Sequence, residues 1–504
     1  MELLSNLTLG FQTAISPQNL LYCFLGVLIG TLIGVLPGIG PVQTIAILLP
    51  ATFALPPVSA LIMLAGIYYG AQYGGSTTSI LVNVPGEASS VVTCLDGYQM
   101  ALQGRAGAAL TIAALGSFVA GCFATLLLAV LAIPLSEVAF KFGPAEYFSL
   151  MVFGLIGSIV FASGSVIKAV GMVVLGLILG MVGTDITSGT HRFSFGIPEL
   201  ADGIGFVPLA MGLFGISEII KSLERREKRE ILKSKIMGFW MSKKDIRAAA
   251  PAVARGTLTG SLLGILPGGG AILASFISYI LEKKMSRDPQ SFGKGNIRGV
   301  AAPESANNAA SQTCFVPLLT LGIPSNVILA MMAGAMIIHG IQPGPRVISS
   351  NPTLFWGVIV SMWVGNLMLV ILNLPLIGIW VKLLSVPYRL LYPAILLFCC
   401  IGIYSVNNNT FDIGLTALFG LLGYTFAKLE CEPAPLILGF VLGPMMEENL
   451  RRGMLLSRGD PSVFFTRPLS LAFLFMALAM LIVIALPAIR QKREDAFHEE
   501  GEDG

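Results

Sequence analysis

Long apolar runs set the pattern of this chain. Residues 110–133, 152–182, 354–381 and 469–489 are nearly free of charge, and each is long enough to cross a bilayer, which takes about 20 residues as a helix. None of them alternates polar with apolar positions as a barrel strand would, so the spans are predicted to be helices. The predicted fold class is an all-α polytopic membrane protein.

One apolar segment carries an unusual punctuation. "GVLIGTLIGVLPGIG", Gly26 to Gly40, holds five glycines and breaks at Pro37-Gly38, and "GTLTGSLLGILPGGG", Gly256 to Gly270, repeats it at an offset of 230 residues. Glycines four apart lie on one helical face and let another helix come close. Two copies imply a duplicated unit: repeat one over 1–220, a linker over 221–250, repeat two over 251–445, and a loop, last helix and acidic tail over 446–504.

Composition agrees with this reading. Of 504 residues 55% are hydrophobic and 12% charged, against a usual charged share of about 25%. Net charge is only +3, but ten of the 31 basic residues fall between Lys221 and Arg247, which makes the linker cytoplasmic by the positive-inside rule. The stretch before the first glycine segment has no Lys or Arg, so it lacks the basic region of a secretory signal. By the same rule the two repeats start on opposite sides, the inverted arrangement of many secondary transporters. The acidic tail is expected to be solvated.

Length and charge also predict the shape of the broken segments. Residues 253–266 and 270–281 span about 21 and 18 Å as helix, each short of a core about 30 Å thick. A single broken helix would carry Lys283, Lys284, Arg287, Lys294 and Arg298 to the outer side, whereas a re-entrant hairpin returns them to the cytoplasm. The tips are then Pro37, Gly38 and Gly40, and Pro267, Gly268 and Gly270. A second pair of breaks follows, in "GGSTTSILVNVPGEASS" and "AASQTCFVPLLTLGIPSN". Ser76 and Thr78 are matched with Ser311 and Thr313. After a four-residue insertion, Asn83-Val84-Pro85-Gly86 is matched with Gly322-Ile323-Pro324-Ser325. Irregular backbone at membrane depth is tolerated where it lines a cavity. The tips, the hydroxyls of Ser76, Thr77, Thr78, Ser311 and Thr313, and the breaks at Asn83, Pro85, Gly86, Pro324, Ser325 and Asn326 are therefore the candidate substrate-binding residues.

No Lys or Arg falls inside a duplicated break. An anionic substrate would be held by half-helix N-termini and hydroxyl or amide donors. Glu87, Asp96 and Glu304, with Asn307 and Asn308, are candidates for a coupling ion or proton, since an acid at membrane depth is functional by default. His191, His339 and His498 are scattered, no HExxH, GxSxG or Walker motif occurs, and the seven cysteines have no metal-binding spacing. No catalytic residue, metal, organic cofactor or nucleic-acid partner is expected.

The motifs "GVLPGIGP", "GILPGGGA", "YGGSTTSILVNVPGEASS", "DGYQMALQGRAG", "APESANNAA", "TLGIPSN", "GPMMEENLRR" and "FFTRPLS" resemble the large membrane subunit of the tripartite tricarboxylate transporters, the TctA family, over nearly the whole chain. The resemblance implies a permease of the bacterial inner membrane that works with a small four-helix membrane subunit and a periplasmic solute-binding protein. It implies import of citrate or a related carboxylate coupled to sodium ions or protons. An elevator-like movement of the hairpin unit against a scaffold of the longer helices would give alternating access. Ala271 stands where repeat one has Pro41, so the two tips need not be equivalent. A carboxylate transporter without a binding protein, an anion channel and an intramembrane enzyme are the alternatives. Failure to co-purify with a small subunit, uptake that follows the substrate's own gradient, and a convergent nucleophile or metal site, respectively, would mark them.

Overall fold

The computed structural model describes residues 2–36, 40–162, 165–185, 188–224, 241–266, 270–383 and 407–485, with 396, 399–401, 403 and 404. The chain opens with α1 (Glu2–Ala14), α2 (Pro17–Val35), α3 (Pro41–Thr52), α4 (Pro57–Val82), α5 (Val91–Leu102) and α6 (Ala106–Ala139). Next come α7 (Pro144–Phe161), α8 (Val166–Gly180), and a two-residue ladder of β1 (Gly183–Thr184) with β2 (His191–Arg192). A π-helical segment, Met211–Ile216, joins α9 (Phe206–Ala210) to α10 (Ser217–Glu224). After the basic linker follow α11 (Lys243–Ile265), α12 (Gly270–Met285), α13 (Arg298–Thr313), α14 (Phe315–Leu321), α15 (Val327–Ile338), α16 (Arg346–Ser350), α17 (Pro352–Asn373) and α18 (Ile377–Leu383). The described part closes with α19 (Thr410–Lys428), α20 (Ala434–Leu456), α21 (Val463–Thr466) and α22 (Pro468–Ala485). Among the described residues, five helices, α2, α6, α7, α17 and α19, are long and apolar enough to cross a membrane. The protein is an all-α polytopic membrane protein.

Side-chain direction shows where lipid would lie. On α6, Leu115, Val119, Phe123, Leu126 and Val130 are exposed at three- and four-residue spacing, a single apolar stripe. Its opposite face is small: Gly116, Ser117, Ala120, Gly121 and Ala124 are buried. Two of the predicted spans prove to be composite. Residues 152–182 divide between α7, which ends at Phe161, and α8, which begins at Val166, and 354–381 divides at the end of α17, where Asn373 precedes a turn.

The repeated glycines act as contact surfaces. A Cβ added to Gly26, Gly30 or Gly34 of α2 would strike the main chain of Met63, Ile67 or Ala71 on α4. Added to Gly256, Gly260 or Gly264 of α11, it would strike Ala302, Ala306 or Ala310 on α13. The leucines between the second set, Leu258, Leu262 and Leu266, are exposed on the other face. In both pairs the numbers rise together, so α2 runs parallel to α4, and α11 to α13. The intervening segment must therefore turn back. In the second unit the return is visible directly: Arg255 Nε on α11 donates to Glu282 on α12, the two residues being nearly equidistant from the tip. This is a hairpin. Its first arm begins at Lys243, ten residues earlier than the sequence suggests, because Ser242 accepts from the Asp245 N–H at 3.1 Å and caps the helix.

The two units then pack against each other. Tyr68 of α4 lies beside Cys314, while Ile80 lies across Gly97 from Val300. One number falls as the other rises, so α4 and α13 are antiparallel. The long helices cross over: α6 packs on α13, where Asn308 Nδ2 donates to Ser117 Oγ at 2.7 Å, and α17 packs on α4, where Tyr73 Oη donates to Asn366 Oδ1 at 3.3 Å.

The linker end of the second hairpin is tied by charge. Glu282, its side chain 1% exposed, accepts from Arg255 and from Arg298 Nη2 at 2.5 Å. Removing one member of a buried ionic group leaves the others uncompensated, at a cost of about 3 kcal/mol. Glu282→Ala is expected to lower stability by about that amount in thermal or denaturant unfolding of the purified protein. No change in the transition would show that the hairpin is held by the glycine contacts alone.

Candidate functional site

Each unit brings the helix end beside its tip against its own second break. In the first, Pro37 and Gly38 lie outside the described residues, but the α2 end beside them is fixed. Thr78 Oγ1 donates to the Val35 carbonyl at 2.7 Å, and Gly86 sits directly against the Gly34 carbonyl and 2.7 Å, measured from an added Cβ, from Gly75 Cα. Past the tip, the Gly40 N–H is bonded to Gln43 Oε1 at 3.0 Å as α3 begins. In the second unit, Pro267 and Gly268 also lie outside the described residues. Gly270 starts α12 with φ +50°, and an added Cβ would lie 4.0 Å from Asn326 Nδ2.

The breaks themselves are alike. α4 ends at Asn83 and α14 at Gly322, both left-handed, with φ 57° and 78°; short loops carrying Pro85 and Pro324 then lead to Glu87 and Asn326, the residues that open the next helical turns. Asn326 Oδ1 caps α15 by accepting from Leu329 N–H at 2.9 Å, and its Nδ2 donates to Tyr68 Oη at 3.3 Å. Asn83 itself is exposed. The starts of α3, α12 and α15, with a short 3-10 turn (Ala88–Ser90) ahead of α5, thus flank the two breaks; the first turn of a helix has N–H groups without intrahelical partners and the positive end of its dipole, and of these the Gly40 and Leu329 N–H groups are already taken by Gln43 and Asn326.

The structure gathers two of the three predicted acids. Glu304, fully buried on α13, accepts from Thr93 Oγ1 on α5 and from Asn307 Nδ2 at 3.4 Å, with Ser76 alongside. Glu87 packs over Gly75 and accepts from Ser89 Oγ, which is also 2.7 Å from Gln72 Oε1. Asn308 joins this cluster through Asn307 Oδ1 at 2.6 Å. Asp96 does something else. Its Oδ1 accepts from the N–H groups of Gly293, Gly295 and Asn296 at 3.0, 2.8 and 2.7 Å, and its Oδ2 accepts from Tyr279 Oη at 3.0 Å. With its carboxylate spent on a loop, Asp96 ties α5 to the segment before α13.

The predicted hydroxyls are placed differently from their sequence pairing. Met63, Ile67 and Ala71 meet the glycines as Ala302, Ala306 and Ala310 do, an offset of 239 that also pairs Asn83 with Gly322. No insertion is needed, and on this register Ser311 stands in place of Gln72 and Thr313 in place of Gly74. Their hydrogens are also committed: Ser76 Oγ donates to Tyr73 O at 2.9 Å, Ser311 Oγ to Asn308 O at 2.9 Å, Thr313 Oγ1 to Ala309 O at 3.1 Å and Ser325 Oγ to Cys314 O at 3.2 Å. What these four groups can still offer is lone pairs; Thr77 is buried on the same helix as Ser76. Sequence reasoning passed over Gln72, Ser89, Thr93, Ser117 and Gln312. Gln72, an amide inside the apolar run "IYYGAQYGG", was the readable signal among them.

The model of the tripartite tricarboxylate transporter TctA family matches residues 20–438. Two proteins of Agrobacterium vitis are similar to the chain. An uncharacterized 52.8 kDa protein in the TAR-I ttuC' 3' region is 59% identical over 500 residues, covering 99% of this chain and 100% of that protein. An uncharacterized protein in the TAR-II ttuC' 3' region is 59% identical over 241 residues, covering 48% of this chain and 100% of that protein. No solved structure matches. The glycine-packed helix pairs, the two proline breaks and this match over most of the chain lead to one assignment: the protein belongs to the TctA family, as the large membrane subunit of a tripartite tricarboxylate transporter.

Proposed function

We propose that this subunit imports a tricarboxylate such as citrate, or a related carboxylate, across the bacterial inner membrane as a secondary active transporter driven by a sodium or proton gradient. A periplasmic solute-binding protein delivers the substrate, and a small four-helix membrane subunit completes the permease. The two units are inverted repeats; parallel pairs within each unit and the antiparallel α4 and α13 between units support this reading. The basic linker is cytoplasmic.

The observation that carries the substrate class is the set of helix starts at the breaks. A molecule with carboxylates at separate points can engage starts from both units at once, using backbone N–H groups and dipoles where no Lys or Arg is present. Such contacts are weak enough singly to be released. Gly40, Gly86, Gly270, Ser325 and Asn326 form this backbone cradle, with Pro85 and Pro324 breaking the helices ahead of it, and Glu87, Glu304, Asn307 and Asn308 form the coupling centre beside it. Elevator-like movement of the hairpins against α6 and α17 gives alternating access.

The test is citrate uptake into proteoliposomes containing this chain and the small subunit, with and without the binding protein, under separately imposed sodium and proton gradients. Accumulation that requires the binding protein and one gradient is expected. Uptake independent of every gradient would indicate a channel instead, and accumulation without the binding protein a stand-alone carrier.

A further inference from the structure

Glu304 is fully buried and Glu87 half-buried, and among the described residues neither forms an ion pair with Lys, Arg or His. A buried acid without a positive partner is costly. Beside Glu304, α13 also carries polar atoms that lack any hydrogen-bond partner: Ser305 Oγ, Asn308 Oδ1, and both amide atoms of Gln312, all in side chains that are 0% exposed. Positions 305, 308 and 312 share one helical face, the one that meets α6 at Gly116 and Ser117.

The free atom of Asn308 is an oxygen by necessity. Its Nδ2 faces three acceptors with two hydrogens to give: Ser117 Oγ at 2.7 Å, Asn307 Oδ1 at 2.6 Å and the Glu304 carbonyl at 3.0 Å. The last is a pure acceptor, so turning the amide round would set oxygen against oxygen. Ser117 Oγ gives its own hydrogen to the Glu304 carbonyl at 3.3 Å, which leaves it lone pairs too. The space is small: a Cβ on Gly116 would come within 2.9 Å of Ser305 Oγ and 3.3 Å of Val253 Cγ2. So close a contact leaves no room for a carboxylate beside Gly116.

We propose that Ser305, Asn308 and Gln312 of α13, with Ser117 of α6 and the charge of Glu304 alongside, bind a dehydrated monovalent cation of sodium size. The ligands are neutral oxygens with one acid near them, and no group of three or more His, Cys, Asp or Glu is assembled among the described residues, so the site lacks the carboxylates that divalent ions require. A proton on Glu304 would neutralise the acid but leave Asn308 Oδ1 and Gln312 unsatisfied. The site deepens the transport reading above, on which its role in coupling rests; the binding itself does not depend on that reading.

The test is equilibrium binding of radiolabelled sodium to the purified full-length protein in detergent, at constant ionic strength with choline as the replacement ion and no carboxylate present. Saturable binding, displaced by unlabelled sodium and not by choline, is expected. Asn308→Ala and Gln312→Ala should each weaken it at least tenfold. Ser305→Ala, which removes one oxygen from a small side chain, should weaken it severalfold and serves if either amide variant is not monodisperse. Absence of saturable binding, or undiminished binding in all three variants, overturns the site and leaves it water-filled. Because the assay contains no substrate and no partner, its failure leaves carboxylate uptake on another ion untouched. Sodium binding by a protein that transports no carboxylate would remove the transport reading and keep the site.

Discussion

Glu304→Gln is expected to reduce carboxylate uptake at least a hundredfold while the protein remains folded and inserted. Glu304 is the residue through which α13, α5 and α6 meet: its carboxylate accepts from Thr93 and Asn307, and its main-chain carbonyl accepts from Ser117 and Asn308. Glutamine keeps the volume and can still accept from Thr93, so packing changes little; the negative charge is lost, together with the long 3.4 Å bond from Asn307, which would face an NH2. A hundredfold loss corresponds to about 2.7 kcal/mol, within reach of one buried charge acting on a cation or proton. Uptake within threefold of wild type, in protein of normal yield and unchanged melting, would show that Glu304 is a structural acceptor and move the coupling centre to Glu87.

Gly260→Leu is expected to abolish folded protein. The added Cβ would lie 2.7 Å from the Ala306 Cα and closer still to its carbonyl oxygen, and these are backbone atoms of a helix buried on every side. Nothing at the end of a flexible side chain can yield. The strain, added to loss of the close α11–α13 contact, exceeds about 3 kcal/mol, a large share of the stability of an ordinary domain. Gly30→Leu should behave alike, since the added Cβ would stand 2.9 Å from the Ile67 Cα. Gly171 of α8 has nothing within 4 Å of an added Cβ, so Gly171→Ala should fold normally and gain up to about 1 kcal/mol of helix propensity. Monodisperse yields, read by size-exclusion chromatography, separate the three. Normal yield of Gly260→Leu would mean that the two helices stand further apart than described.

The glycine stripes were legible because their cause is local: a residue with no side chain every fourth position has one helical meaning in an apolar run. Hairpin geometry at 256–282 followed from two further local quantities, arm length and the sign of the loop charges. The pairing of Ser76 with Ser311 was not recoverable in the same way. Like residue types invite alignment, whereas the true register is set by which carbonyl each glycine touches, and Gln72 opposite Ser311 has no likeness in letters. Asp96 shows a second limit. A carboxylate near a break reads as an ion ligand, but Gly293 and Gly295, with φ +80° and +94°, turn their loop's N–H groups onto it, and nothing in the stretch around Asp96 announces a partner some 200 residues away. The Gln312 amide was invisible for a simpler reason: what marks it is the absence of a partner, which exists only in three dimensions.

The crossed packing of the long helices bears on how the chain is made. α6 finds its partner in α13, and α4 finds part of its own in α17, so each half leaves a polar, small-residue face unfilled until the other is synthesised. At ribosomal speeds the interval between the end of α6 and the start of α13 is on the order of 10–30 s. During that time Ser117 and Tyr73 lack their partners Asn308 and Asn366. The first half is therefore a nascent intermediate dependent on protection, and substitutions on its inward face should first appear as degradation during biogenesis, before any defect in transport can be measured.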